Sequence, residues 1–179
     1  DYRLLESELQ KENFVSTPLV LPYFSGRGAP EWNPLAKAVF SGITTATRRS
    51  ELFKSIMESI FMEIANQIER MNESVPVERV NLGGGLSGSD TLNQLQADIY
   101  GRPVYASDDP EATADGCLMV ALCGLGVYES VYDAYQALHK NHSLKEFLPD
   151  MNLHAEYEIK RKKMNRLYRV IKEGDEHES

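Results

Sequence analysis

The stretch Val77-Glu78-Arg79-Val80-Asn81-Leu82-Gly83-Gly84-Gly85-Leu86-Ser87-Gly88-Ser89-Asp90 decides the reading of this chain. A β-prone run leads straight into four glycines within six positions. Ser89 and Asp90 close the loop, and Thr91 to Tyr100 is a helix-forming segment. Glycines let the main chain approach an anion without Cβ interference, and the helix that follows offers free N–H groups and a positive dipole end. The dipole contributes only about 0.3–1 kcal/mol at an exposed site, so such a loop positions a ligand more than it binds one. The order suits a phosphate or a nucleotide.

On the C-terminal side, Gly101-Arg102-Pro103 turns the chain into a strand at Val104-Tyr105-Ala106. Glu111 to Leu125 is predicted as a helix whose small residues Ala112, Ala114, Gly116, Ala121 and Gly124 suit close packing. A further helix is predicted from Glu129 to Lys140, and a last one from Asn152 to Lys172 with Leu153, Tyr157, Met164, Leu167, Tyr168 and Ile171 largely on one side. Its run Lys160-Arg161-Lys162-Lys163 reads as a solvated face, supported by the pairs Glu156–Lys160 and Glu158–Lys162. Glu173 to Ser179 reads as a frayed, charged tail.

On the N-terminal side, Asp1 to Glu12 reads as a polar helix and Leu19-Val20-Leu21 as a short strand. The glycines and prolines of Tyr23 to Pro34 predict a loop, and Ala38-Val39-Phe40 with Gly42-Ile43 another extended segment. The longest helix is predicted over Arg48 to Met71, with Thr47 as its N-cap. Leu52, Ile56, Ile60, Ile64 and Ile68, flanked by Phe53, Met57 and Phe61, are expected to form its core face. Strands alternate with helices after Pro76, so the class is α/β.

The chain has 179 residues, with 19 Lys and Arg against 27 Asp and Glu and a net charge of −8. That suits one domain or a piece of a larger enzyme, and it argues against nucleic acid as a partner. No apolar run approaches the roughly 18 residues of a membrane span, so no membrane partner is expected. There is no initiator Met and no secretory leader, so Asp1 is not expected to be the natural beginning. Cys117 and Cys123 point to different faces of one predicted helix and read as buried thiols in a reducing, cytoplasmic setting. His139 and His142 lack a third ligand nearby and read as surface residues, with no metal site expected.

Gly83-x-Gly85-x-x-Gly88 satisfies the GxGxxG pattern, and Asp108 falls about twenty residues beyond, where a ribose-binding acid belongs. A NAD-dependent oxidoreductase is therefore one alternative. Against it, only helices are predicted after Ala106, whereas a doubly wound domain needs further βα units.

Three separated segments together resemble the FGGY family of carbohydrate kinases in its C-terminal half. The first is Pro22-Tyr23-Phe24-Ser25-Gly26-Arg27-Gly28-Ala29-Pro30-Glu31-Trp32-Asn33-Pro34, followed by Gly42-Ile43-Thr44. The second is Gly84-Gly85-Leu86-Ser87-Gly88-Ser89-Asp90 with Asn93-Gln94-Leu95-Gln96-Ala97-Asp98, similar to the family's adenosine motif. The third is Glu111-Ala112-Thr113-Ala114-Asp115-Gly116, where Gly116-Cys117-Leu118 departs from the family's usual Gly-Ala-Ala. The resemblance implies an actin-like, ribonuclease H-like C-terminal lobe, incomplete at its N-terminal side and inactive alone. It implies ATP and Mg as cofactors, with Gly84 and Gly85 near the adenosine side of ATP. Ser89, where some members carry an adenine-contacting Asn, would touch the base. The sugar or polyol would bind through an N-terminal lobe, and the resemblance places no catalytic residue in this stretch. A non-catalytic actin-like binding domain remains a second alternative, and the oligomeric state is open, a homodimer included.

Overall fold

The structure, a computed structural model, describes residues 2–10, 15, 18–107, 111–139 and 143–177. Its elements are α1 (Tyr2–Leu9), β1 (Leu19–Leu21), β2 (Val39–Ser41), α2 (Arg49–Asn72), β3 (Val80–Leu82), α3 (Asp90–Tyr100), β4 (Val104–Ser107), α4 (Ala112–Gly124), α5 (Val131–Leu138), β5 (Leu144–Phe147) and α6 (Met151–His177). They fall into two compact units. The first holds residues 1–77, 98–101 and 149–179, and the second holds 78–97 and 102–148.

In the first unit β1 and β2 pair antiparallel, Leu19 opposite Ser41 and Leu21 opposite Val39. Val20 and Leu21 are fully buried, and both α2 and α6 pack on their strand. The isoleucine row predicted as the core face of α2 is only partly inside. Ile60 and Ile64 are exposed, whereas Lys54, Glu58, Met62, Ala65 and Ile68 are buried. The reason is geometric: a step of four residues overshoots one turn by about 40°, so the row winds around the helix instead of holding one side.

The buried face that results carries a charge. Glu58 has no exposed surface, and its carboxylate accepts from the Tyr157 hydroxyl at 3.1 Å and from Lys160 Nζ at 2.6 Å. Lys160, expected on a solvated face, is therefore a core residue, with its ammonium held below the usual lysine range by burial that Glu58 only partly offsets. Its neighbour Arg161 bonds Glu158 and Asn66 rather than lying in solvent. Tyr157, Lys160, Met164 and Tyr168 recur at three- and four-residue spacing, which aligns them on one side of α6.

The 22–34 loop is pinned by the same two helices. Arg27 donates from Nε to Glu63 at 2.8 Å and lies 4.2 Å from the Tyr168 ring centroid. Tyr23 bonds Glu63 as well, Asn33 bonds the Tyr168 hydroxyl, and Gln67 reaches the Ala29 carbonyl. At the start of α6, Asp150 accepts from the amides of Asn152 and Leu153, and its own N–H is held by Asp98. Gly101, at φ +61°, lies so near the His154 imidazole that a Cβ would sit 2.5 Å from it, so a side chain there would strain the backbone and displace the ring.

In the second unit β3, β4 and β5 form a sheet in that order, with β3 and β4 parallel and β5 antiparallel to β4. β3, α3 and β4 make one βαβ crossover. Leu92, Leu95, Ala97, Val104, Ala106, Ala134 and Phe147 are its buried apolar residues. The strand β5 was not expected from the sequence. Only Phe147 of its four residues is buried, so it lacks the apolar alternation that reveals a strand.

Other boundaries moved. Thr47 accepts from the Thr44 amide, while α2 begins after Arg48, whose N–H is taken by Glu51 at 2.8 Å. Helix α6 runs through His177, where a frayed tail was expected from Glu173. The predicted ends at Asp1, Glu12, Lys140 and Ser179 lie outside the described residues. Helix α4 has no buried residue, so Cys117 is exposed and Cys123 half-buried rather than core thiols. Nothing lies within 4 Å of a Cβ built on Gly116 or Gly124, so these glycines are not required by close packing. Among the described residues no helix is long and apolar enough to cross a membrane.

Two outcomes follow for the first unit. Glu58→Ala removes the carboxylate paired with the buried Lys160 ammonium and should cost about 3–5 kcal/mol, whereas Glu58→Met with Lys160→Met should recover most of that loss; urea unfolding of the full-length protein measures both. Burial raises the phenol pKa values of Tyr23, Tyr100 and Tyr157, with Glu63 adding to the first and Glu58 to the last. Unfolded tyrosine ionises near pH ~10, so above that pH the folded state holds more protons and stability falls. The lowered Lys160 works the other way, but as one group against three. Urea midpoints should decline above pH ~10, and Tyr100→Phe should make the decline shallower.

Candidate functional site

The glycine loop leaves the C-terminal end of β3 and enters α3, the position where open α/β sheets receive ligands. Gly84 has φ +95°, a left-handed conformation that side chains disfavour, and nothing lies within 4 Å of a Cβ built there. A larger residue is thus opposed by backbone strain and not by lack of room. Open space lies beside Gly88 as well, so the main chain is bare where a ligand would approach. At Gly83 the opposite holds, because an added Cβ would come within 3.0 Å of the Ala112 Cβ.

Hydrogen bonds hold this loop from within. The Gly84 carbonyl accepts from the Ser87 amide at 3.0 Å and lies 2.7 Å from its hydroxyl. The same hydroxyl is 2.8 Å from the Ser107 carbonyl, which ties the loop to the end of β4. Asn93 Nδ2 donates to the Ser87 carbonyl at 2.7 Å, and Asn93 Oδ1 is buried with no hydrogen-bond partner. Sequence reasoning gave no role to Ser87 or Asn93. A Ser six residues before an Asn on the helix face was the available signal.

Ser89 precedes α3, and its hydroxyl oxygen accepts from the Leu92 amide at 3.4 Å while its carbonyl accepts from Asn93. It is the N-cap of the helix. Gly84 and Ser89 therefore stand at the two ends of one short loop, with Gly85 exposed between them. Because Gly83 abuts Ala112, the N-terminus of α4 also borders the loop, a second positive helix end that the sequence did not reveal.

Both helix starts carry acids. Asp90 is ion-paired with Lys145, and Asp115 Oδ2 lies 3.1 Å from His139 Nε2. His139 also stacks on Tyr135. The other residue of the histidine pair, His142, and the ribose-acid candidate Asp108 lie outside the described residues. For the dinucleotide alternative, the sheet holds a single parallel pair with an antiparallel third strand, not a doubly wound arrangement.

Comparison with known proteins agrees with one reading of this geometry. The model of the FGGY family of carbohydrate kinases, C-terminal domain, matches residues 3–125. A glycerol kinase of Bordetella parapertussis is 34% identical over 114 residues, 63% of this chain and 22% of that protein. The chain thus spans about a fifth of the length of the first curated relatives it matches. Among solved structures, a ligand-bound xylulose kinase from Lactobacillus acidophilus superposes with a TM-score of 0.79 at 20% identity, covering 96% of this chain and 35% of that one. A Plasmodium falciparum glycerol kinase with ADP gives 0.74 at 21% identity, covering 94% and 34%. At these identities the superpositions show a shared fold.

The cap yields a test. Ser89→Ala should lower stability by about 1 kcal/mol, and Ser89→Asn, which can cap equally well, should not. Thermal or urea unfolding of the full-length protein distinguishes them, and equal losses from both would contradict the N-cap assignment.

Proposed function

Because the chain belongs to the FGGY family of carbohydrate kinases and has the actin-like fold of its C-terminal lobe, we propose that it is the nucleotide-holding part of an ATP-dependent carbohydrate kinase. The parent enzyme would pass the γ-phosphoryl group of Mg·ATP to a sugar or polyol hydroxyl in the cytoplasm. One observation carries the reading: main chain without side-chain cover at Gly84 and Gly88, bordered by the N-termini of α3 and α4. The named relatives, and the structure solved with ADP, support it.

The proposed division of labour follows from the geometry. Gly84 and Gly85 admit the adenosine side of the nucleotide. Ser89, the N-cap of α3 at the far end of the same loop, is assigned to the base. ATP supplies the phosphoryl group and Mg its charge neutralisation, and the family's substrate site and base Asp are assigned to a preceding lobe. Phosphoryl transfer is mostly positioning and charge stabilisation, so a segment whose task is to hold one reactant still is a full share of the work. A preceding lobe without a base Asp would favour the non-catalytic alternative.

Gly85→Val in the full-length enzyme should weaken ATP binding tenfold or more, about 1.4 kcal/mol. Fluorescence titration with ATP, with NADH as control, reads the effect. Unchanged ATP affinity would overturn the assignment.

A further inference from the structure

The first unit contains a cavity of about 400 Å³ lined by the 22–34 loop, α2 and α6. That volume falls within the roughly 300–1,000 Å³ of small-molecule pockets. Its lining carries four cations, Arg27, Arg70, Arg169 and Lys172, against one carboxylate, Glu31. The chain as a whole has the opposite balance, 19 basic to 27 acidic residues. Gathering like charges around one hollow opposes folding unless a counter-charge arrives.

The deepest of these cations is built in. The Arg27 side chain is 9% exposed, lies against the Tyr23 and Tyr168 rings, and has its Nε tied to Glu63. Glu63 balances that charge, so the surplus comes from Arg70 on α2 and from Arg169 on α6. Glu31 is the one acid facing them, and it is loosely held: its carboxylate is 3.8 Å from Arg27 Nη1, beyond hydrogen-bond reach, and 38% exposed. Asn66 and Asn165 join the two helix walls by mutual amide bonds at 3.0 Å, which keeps the spacing of the cations fixed.

We propose that this cavity binds a small phosphate-bearing polyanion of the diphosphate class, which displaces Glu31 from Arg27 and bridges Arg70 of α2 to Arg169 of α6. Guanidinium forks match phosphate oxygens in pairs, and two such forks on separate helices suit a ligand with two phosphoryl groups better than one with a single group. The site shares no residue with the glycine loop and does not depend on the kinase reading.

The test is isothermal titration of the full-length protein with inorganic pyrophosphate at low salt, orthophosphate serving as the one-group comparison. Pyrophosphate should bind one equivalent, more tightly than orthophosphate. Arg70→Gln with Arg169→Gln should weaken it at least tenfold, and both side chains are exposed, so folding is spared. Glu31→Gln should tighten it severalfold by removing the competing carboxylate, and Gly85→Val should leave it unchanged. Absence of binding, a loss of less than tenfold in the double variant, no gain in Glu31→Gln, or loss in Gly85→Val would each overturn the proposal.

Discussion

A carboxylate with no exposed surface dictates the arrangement of the first unit. Burying Glu58 is tolerable only if its charge is met, because an unpaired buried ion costs several kcal/mol. Lys160 and Tyr157 meet it from one turn of α6, which sets the rotation of α6 against α2. That rotation brings Met164 inward, and Tyr168 with it. Tyr168 in turn receives Arg27 on its face and Asn33 on its hydroxyl, so the conformation of the 22–34 loop traces back to one ion pair. A pair of apolar residues could fill the same space at similar stability. What the charges add is a single register, since sliding or turning α6 would part Glu58 from Lys160 and Tyr157.

The sequence made the second unit's βαβ crossover readable because its signals are local. Glycines in a row, a Ser before the helix and β-branched residues around them each act within a few positions, and β3, α3 and β4 lie where those signals put them. The first unit's core was misread for the converse reason. The isoleucines of α2 looked like a face because a four-residue repeat drifts around the helix, and Lys160 looked like solvent because its deciding partner, Glu58, is about a hundred positions away. A charged residue inside a basic run has no local mark that it is buried. Strand β5 escaped notice because an edge strand with Lys145 and Glu146 exposed is built to look polar.

Small residues were the other ambiguous signal. Ala112 and Gly83 do meet closely, but Gly116 and Gly124 on the same helix have open surroundings. Composition alone says that a helix can be approached, not that it is. Leu118, Val120 and Cys117 of that helix are exposed as well, which overturns the buried-thiol expectation for Cys117.

The acids at the two helix starts bear on what the loop can hold. Each helix N-terminus is worth about 0.3–1 kcal/mol toward an anion, while even millimolar affinity needs about 4 kcal/mol. Asp90 and Asp115 then occupy the first turns of α3 and α4 and spend much of that small attraction on the protein's own carboxylates. A loop so furnished is a poor cradle for a triphosphate. It is better matched to the uncharged purine and ribose, which ask for close main-chain approach and an oriented hydroxyl rather than for positive charge. Under the proposed reading Gly84 would supply the approach and Ser89 the hydroxyl. Under the proposed reading, then, the phosphate charge must be met elsewhere in the parent enzyme, and this loop's part is to fix where the nucleotide begins.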